Sequence, residues 1–149
     1  MKKKDSLIIR PARASDRRAL SLVYQAAFSS GPSAERWSEK AADARVYQVL
    51  KSKHPAWVAC LYRQPVGFAF LSIREGHSGP YGELTELAVH PFFQGQGIGT
   101  KLLKKLKDAR KSYRLKTLYG LVYKGPAEGF LKKSGFKPSR RSSVLALHR

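Results

Sequence analysis

Gln94-Gly95-Gln96-Gly97-Ile98-Gly99 alternates glycine with larger residues at the junction of two patterns. The run Glu83-Leu84-Thr85-Glu86-Leu87-Ala88-Val89 before it reads as a strand, and Thr100 to Lys111 after it reads as a helix. A glycine-rich turn that leaves a strand and opens a helix aims unpaired backbone N–H groups at one point, where phosphate binds well. Glycine lets the backbone approach a ligand without a side-chain clash. The segment therefore reads as a diphosphate cradle. It is not a P-loop, because Gly99 is followed by Thr100 and Lys101 in the wrong order. Nor is it a dinucleotide fingerprint, which spaces its glycines more widely and needs an acid after a second strand. Here Asp108 falls too early and Glu128 too late.

The wider order, Leu87-Ala88-Val89-His90-Pro91 and then Gln94 to Gly99, resembles the acetyl-CoA signature of the GNAT superfamily of N-acetyltransferases. That signature is Gln or Arg, two residues, Gly, one residue, then Gly or Ala. Gln94, Gly97 and Gly99 fill it. The resemblance extends along the chain. Leu7 to Asp16 looks like the family's first strand running into its first helix, Pro65 to Phe70 like its third strand, and Ala127 to Phe136 like its last helix with the Gly-Phe that ends it. It implies an α/β fold with a central, mostly antiparallel sheet of six to seven strands flanked by about four helices. It also implies acetyl-CoA as co-substrate and a primary amine, of a small molecule or a protein, as acceptor. Leu87, Ala88 and Val89 would pair with the pantetheine arm. Gln94, Gly95, Gln96, Gly97, Ile98, Gly99 and Thr100 would hold the pyrophosphate at the helix N-terminus. The N–H of Val89 would meet the oxyanion.

Acetyl transfer to an amine also needs a base, since an ammonium has no lone pair. A lysine-like amine has a pKa of about 10.4 and a peptide α-amine one of about 8, so a carboxylate acting directly or through water helps either. Glu83 and Glu86 are the only acids between Glu75 and Asp108. Period-two alternation puts them on opposite faces of a strand unless a bulge intervenes. Glu83 matches the histone-acetylating branch of the family best and is the favoured base. One departure from the family concerns the leaving thiolate. Many members carry a tyrosine in the last helix that protonates it, and Leu131 occupies that place. Tyr123, Tyr119 or Ser134 would then supply the proton, or the thiolate leaves unprotonated, or the protein binds acetyl-CoA and transfers poorly.

The elements that must position these groups follow from pattern and punctuation. Residues 7–10 read as a strand. Ser15 or Asp16 is placed to cap a helix to Phe28, and a second helix is expected from Ala34 to Leu50 with Trp37, Ala41, Ala44 and Val49 inward. Trp57–Tyr62 and Val66–Arg74 read as a hairpin across Arg63-Gln64-Pro65. Tyr81–Val89 is the next strand, and the helix from about Gly97 to Ser112 buries Leu102, Leu103 and Leu106 while its lysines face water. Thr117–Tyr123 reads as a strand, Gly125-Pro126 opens a short helix to Lys133 that Gly135 stops, and Ser143–His148 reads as a last strand.

The 149 residues amount to one domain, 1–149. Cys60, the one cysteine, has no intrachain disulfide partner and sits in an apolar run as a buried hydrophobe. Met1-Lys2-Lys3-Lys4 is like the basic end of a signal peptide, but Asp5, Ser6, Arg10 and Arg13 interrupt the apolar stretch that should follow. A soluble, cytoplasmic protein, monomer or homodimer, with no membrane partner is expected. His54, His77, His90 and His148 show no metal spacing, and His90 reads as a turn residue.

Net charge is +19, with +8 on residues 1–80 and +11 on 81–149. A field this positive repels polycations, unless the cleft itself is acidic. It favours an acidic small molecule or a protein target near nucleic acid. The alternatives to a transferase are a basic nucleic-acid- or ribosome-associated binding protein and a catalytically weak acyl-CoA sensor. Against the first, the charges of Lys101–Lys111 lie on one ordinary wet helix face and no aromatic RNA-binding motif accompanies them.

Overall fold

Five strands form one sheet in the order β1-β2-β3-β4-β5: β1 (Leu7–Pro11), β2 (Ala56–Leu61), β3 (Gln64–Gly76), β4 (Gly79–Val89) and β5 (Leu118–Gly120). All neighbours are antiparallel except β4 and β5, which are parallel. Four helices accompany them: α1 (Arg17–Phe28), α2 (Glu39–Lys51), α3 (Ile98–Ser112) and α4 (Pro126–Lys133). The computed structural model describes residues 6–30, 35–122, 126–140 and 142–147. The class is the mixed α/β one expected.

The sheet is apolar on both faces because helices cover both. Leu20, Val23 and Tyr24 of α1 and Ala42, Val46 and Val49 of α2 pack on Val58, Cys60, Phe68, Phe70 and Ala88. On the opposite face, Ile98, Leu102, Leu103, Leu106 and Ala109 of α3 meet Ala59, Val66, Ala69, Leu71, Leu84 and Val89, joined by Phe130 and Leu131 of α4. Cys60 is buried, as its apolar run implied.

Several boundaries moved. Of the strand expected over Ser143–His148, residues 143–147 form none, with Leu145 and Leu147 almost wholly exposed, and His148 lies outside the described residues. The described sheet has five strands rather than six to seven, and the outer edge of β5 is only three residues long. That is little ladder for another strand to join. The strand expected over 117–123 shortens to Leu118–Gly120. Ser38, whose Oγ accepts from Ala41 N–H at 3.0 Å, sets the start of α2. With that phase Ala42 and Val46 turn inward, while Ala41 and Ala44 are exposed and Trp37 precedes the helix. At the other helix, Gly135 (φ 98°) closes α4, with Phe136 N–H on Leu131 O at 3.1 Å.

Asp16 does not cap α1. Its buried carboxylate takes two guanidinium bonds from Arg10 of β1, both 2.8 Å, and the Arg13 N–H at 2.7 Å. The three bonds tie the sheet edge to the turn that starts α1. The Arg10 side chain first, then the Arg13 backbone, holds the Asp16 carboxyl below its ordinary pKa. A depressed folded-state pKa adds stability that is present above the unfolded value of about 3.9. It is lost as pH falls through the lower folded value. Asp16→Asn leaves Arg10 half-paired and is expected to cost about 2–3 kcal/mol in denaturant melts at pH 7. The difference from the unsubstituted protein should shrink in strong acid.

Candidate functional site

The cradle begins where β4 ends. His90 Nδ1 accepts from Phe92 N–H at 3.1 Å and shapes the single turn Pro91–Phe93, a structural part in line with its reading from sequence. Gln94 Nε2 then donates to Val89 O at 3.0 Å and braces the strand exit. Gly95 and Gly97 both lie in the left-handed region, at φ 77° and 82°, where a side chain is strained. Ile98, 2% exposed, plugs the first turn of α3 into the core. Among the described residues no protein group accepts from the backbone N–H groups of Gly95 to Thr100. A Cβ built at Gly95 or Gly97 would meet nothing within 4 Å, so the space before these amides is open. Unpaired amides at the positive end of a 15-residue helix, facing free space, suit a phosphate group.

Beside the cradle β4 has an open edge. β5 pairs with it only from Gly82 to Leu84. His90 N–H bonds Val66 O at 2.8 Å across the β3 ladder, and Phe68↔Ala88 and Phe70↔Glu86 follow in register. The intervening Leu87 and Val89 therefore turn their N–H groups away from β3, into the gap that β5 leaves. An extended ligand arm finds strand-like partners there.

Both candidate carboxylates face one cleft of about 660 Å³. A bulge does this. Phe70 pairs with Glu86 and the next residue, Leu71, pairs with Leu84, so Thr85 is the extra residue. Leu71 and Leu84 share the α3 face, while Glu86 lies with Phe70 and Glu83 with Ser72 on the α1–α2 face.

Their surroundings differ. Glu86, only 12% exposed at its side chain, is ion-paired with Arg45 and accepts the Tyr24 hydroxyl. Arg45 Nε also bonds both carboxylate oxygens, at 3.0 and 3.1 Å. Burial first, then the bond to Glu86, pushes the Tyr24 hydroxyl well above its usual pKa, so it stays protonated and donates. The same carboxylate raises the Arg45 pKa. Among the described residues Glu83 has one long contact, the Tyr119 hydroxyl at 3.4 Å. Glu86 is thus satisfied, and Glu83 is the carboxylate with lone pairs to spare.

A family model described as "Acetyltransferase (GNAT) family" matches residues 19–136. This chain belongs to the GNAT acetyltransferases. No curated protein matches its sequence. Among solved structures, an integron cassette protein from the mobile metagenome of V. cholerae is 19% identical with a TM-score of 0.80, over 97% of this chain and 93% of that one. A ribosomal-protein-alanine N-acetyltransferase from Brucella melitensis biovar Abortus 2308 is 17% identical at TM-score 0.76, over 95% and 99% of the two chains. The aminoglycoside N-acetyltransferase AAC(6')-Iy, solved in complex with CoA, is 18% identical at TM-score 0.71, over 96% and 95%. At these identities the likeness is one of fold.

Within this GNAT fold, Leu131 lines the cleft beside Phe130 and offers no proton. Ser134 Oγ donates to Phe130 O at 3.0 Å and is committed to the end of α4. Tyr123 lies outside the described residues. Tyr119, with its pKa raised by burial and then by Glu83, is the described hydroxyl nearest the carboxylate. Tyr24, Arg45 and Trp37 also line the cleft, and sequence reasoning assigned none of them to the site. The helical stripe Leu20, Val23, Tyr24, Ala27 carries a signal for Tyr24, since it lies one turn from residues read as core. Arg45, on a helix rich in charge, carries none. Among the described residues no helix is long and apolar enough to cross a membrane.

Proposed function

We propose that this protein is an acetyl-CoA-dependent N-acetyltransferase with Glu83 as its general base. The observation that carries the reading is the open cradle: free amides from Gly95 to Thr100 at the start of α3, continuous with the unpaired edge of β4. Those amides hold the pyrophosphate, and Leu87 and Val89 pair with the pantetheine arm. Acetyl-CoA supplies an activated thioester, a carbonyl carbon that an amine can attack. Glu83 takes the proton that the amine must lose, directly or through one water. The Val89 N–H, turned from β3 into the gap, meets the negative charge that grows on the carbonyl oxygen, a contribution of about 3–4 kcal/mol for one well-placed donor. Glu86, held by Arg45 and Tyr24, shapes the acceptor wall. The N–C bond forms first, and as the oxyanion re-forms the carbonyl the C–S bond breaks and the sulfur leaves with its electron pair. With Leu131 unable to donate, the sulfur takes a proton from Tyr119 or Tyr123 or leaves as thiolate, tolerable for a thiol of pKa about 8.5.

Leu131 also supports a second reading, a protein that binds acetyl-CoA and transfers slowly. Calorimetric titration with acetyl-CoA tests what the two readings share. One-to-one binding at micromolar ligand is expected, with CoA competing. No heat at millimolar acetyl-CoA would end both. Release of CoA thiol on adding an amine then separates them.

A further inference from the structure

The acceptor side of the cleft carries charge opposite to that of the rest of the molecule. Its wall is aromatic: Tyr24 lies 4.6 Å from the Phe28 ring and 4.8 Å from the Trp37 ring, centroid to centroid. Glu35, Glu83 and Glu86 line the same cleft, and Arg45 is the one cation among its described lining residues. Arg45 is spent on Glu86. Among the described lining residues two negative charges remain uncompensated, Glu83 on β4 and Glu35 before α2, in a chain of net charge +19. Glu35 is positioned: its N–H donates to Phe28 O at 2.9 Å, and its Oε2 accepts the Trp37 indole N–H at 3.0 Å. Its other oxygen faces no cation among the described residues. Surface lysines more than about 8 Å away are screened at physiological salt, whereas the half-buried Glu83 is screened less, with Glu35 exposed at the cleft's rim. The diffuse positive field therefore does not decide what enters. The condition under which a basic protein accepts a cation, an acidic cleft, is met.

We propose that the acceptor is a small amine carrying a second positive charge on an apolar body. Its reacting nitrogen lies at Glu83. Its other charge lies at Glu35, against the half-buried Trp37 ring, which attracts a cation through its face. The apolar body packs on Phe28. This assignment rests on the transferase reading for its chemistry but not for its binding. An acidic acceptor, which the net charge alone favours, would meet Glu35 and Glu83 with no free cation among the described lining residues to offset them.

Three amines of one chain length isolate the charge: 1,5-diaminopentane, pentylamine and 5-aminopentanoate. Each is titrated calorimetrically into the protein and assayed with acetyl-CoA for released thiol. The diamine is expected to bind about fivefold more tightly than pentylamine, as one partly exposed ion pair allows, and the amino acid most weakly. Glu35→Gln should erase the diamine's advantage through KM with kcat kept, because the distant charge is held equally before and during reaction. Equal binding of diamine and monoamine, preference for 5-aminopentanoate, or no binding of any of the three would overturn the proposal. Charge-ordered binding without thiol release would remove the transferase reading and leave this one standing. Acetyl transfer indifferent to charge would do the reverse.

Discussion

Glu83→Gln is expected to lower kcat about 100- to 10,000-fold at neutral pH, the span that loss of a positioned general base covers, with acetyl-CoA affinity unchanged. Gln keeps the size and the hydrogen-bonding reach of Glu but cannot take a proton. Among the described residues the carboxylate makes no ion pair and one long hydrogen bond, to Tyr119 at 3.4 Å, so folding loses little. Glu86→Gln should behave differently. It strips the anion from Arg45, leaving a half-buried guanidinium without its partner, and the main result should be a lower melting temperature. Steady-state assays of CoA thiol release, run beside thermal melts, read both. A kcat loss confined to Glu86→Gln, with Glu83→Gln as active as the parent, would assign the base to the other carboxylate. An acyl-CoA sensor would show negligible turnover before either change.

Gly97→Asp should weaken acetyl-CoA binding about 100-fold or more, because it sets a carboxylate in front of the amides proposed to hold a pyrophosphate. Gly97→Asn is the control. Asn and Asp tolerate the left-handed conformation better than other non-glycine residues, and a Cβ at Gly97 meets no atom within 4 Å. Both variants should fold, each at a cost of about 1 kcal/mol for the φ of 82°. Asn should lose about tenfold in affinity, and the remaining gap between the two is electrostatic and should narrow in high salt. Equal, unimpaired affinity in both would place the ligand somewhere other than this cradle.

A basic α3 face and an acidic cleft coexist without conflict. The lysines of α3 project from the side opposite Leu102, Leu103 and Leu106 and are solvated. They raise solubility and net charge. The cleft between α1, α2 and β4 is lined by its own charges, which sequence distance had scattered over residues 35 to 86.

Much was legible in the chain because it is local. The cradle is a run of six residues whose glycines can serve only if the backbone takes left-handed turns there, and Gly95 and Gly97 do. The apolar stripe of α3 and the glycine stop of α4 are likewise written within one or two turns of helix. Expectations that depended on a partner far along the chain went less well. A strand over 143–148 needs an edge to join, and β5 ends after three residues. Ala41 and Ala44 looked inward, yet Ala42 and Val46 are the residues that meet α1 and the sheet. Asp16 looked like a cap, yet Arg10 claimed its carboxylate.

The sequence by itself determined the family, the position of the glycine turn proposed to hold a phosphate and the pair of acids from which the proposed base comes, since each is a property of neighbouring residues. Only the tertiary structure set the surroundings of those acids apart. An extra residue at Thr85 turned Glu83 and Glu86 to the same face, and Arg45 and Tyr24, each some forty or more positions from Glu86, converged on that carboxylate and left Glu83 free. Packing of α1 and α2 against the sheet brought those side chains together. No periodicity within a single segment encodes which two helices will meet across a strand.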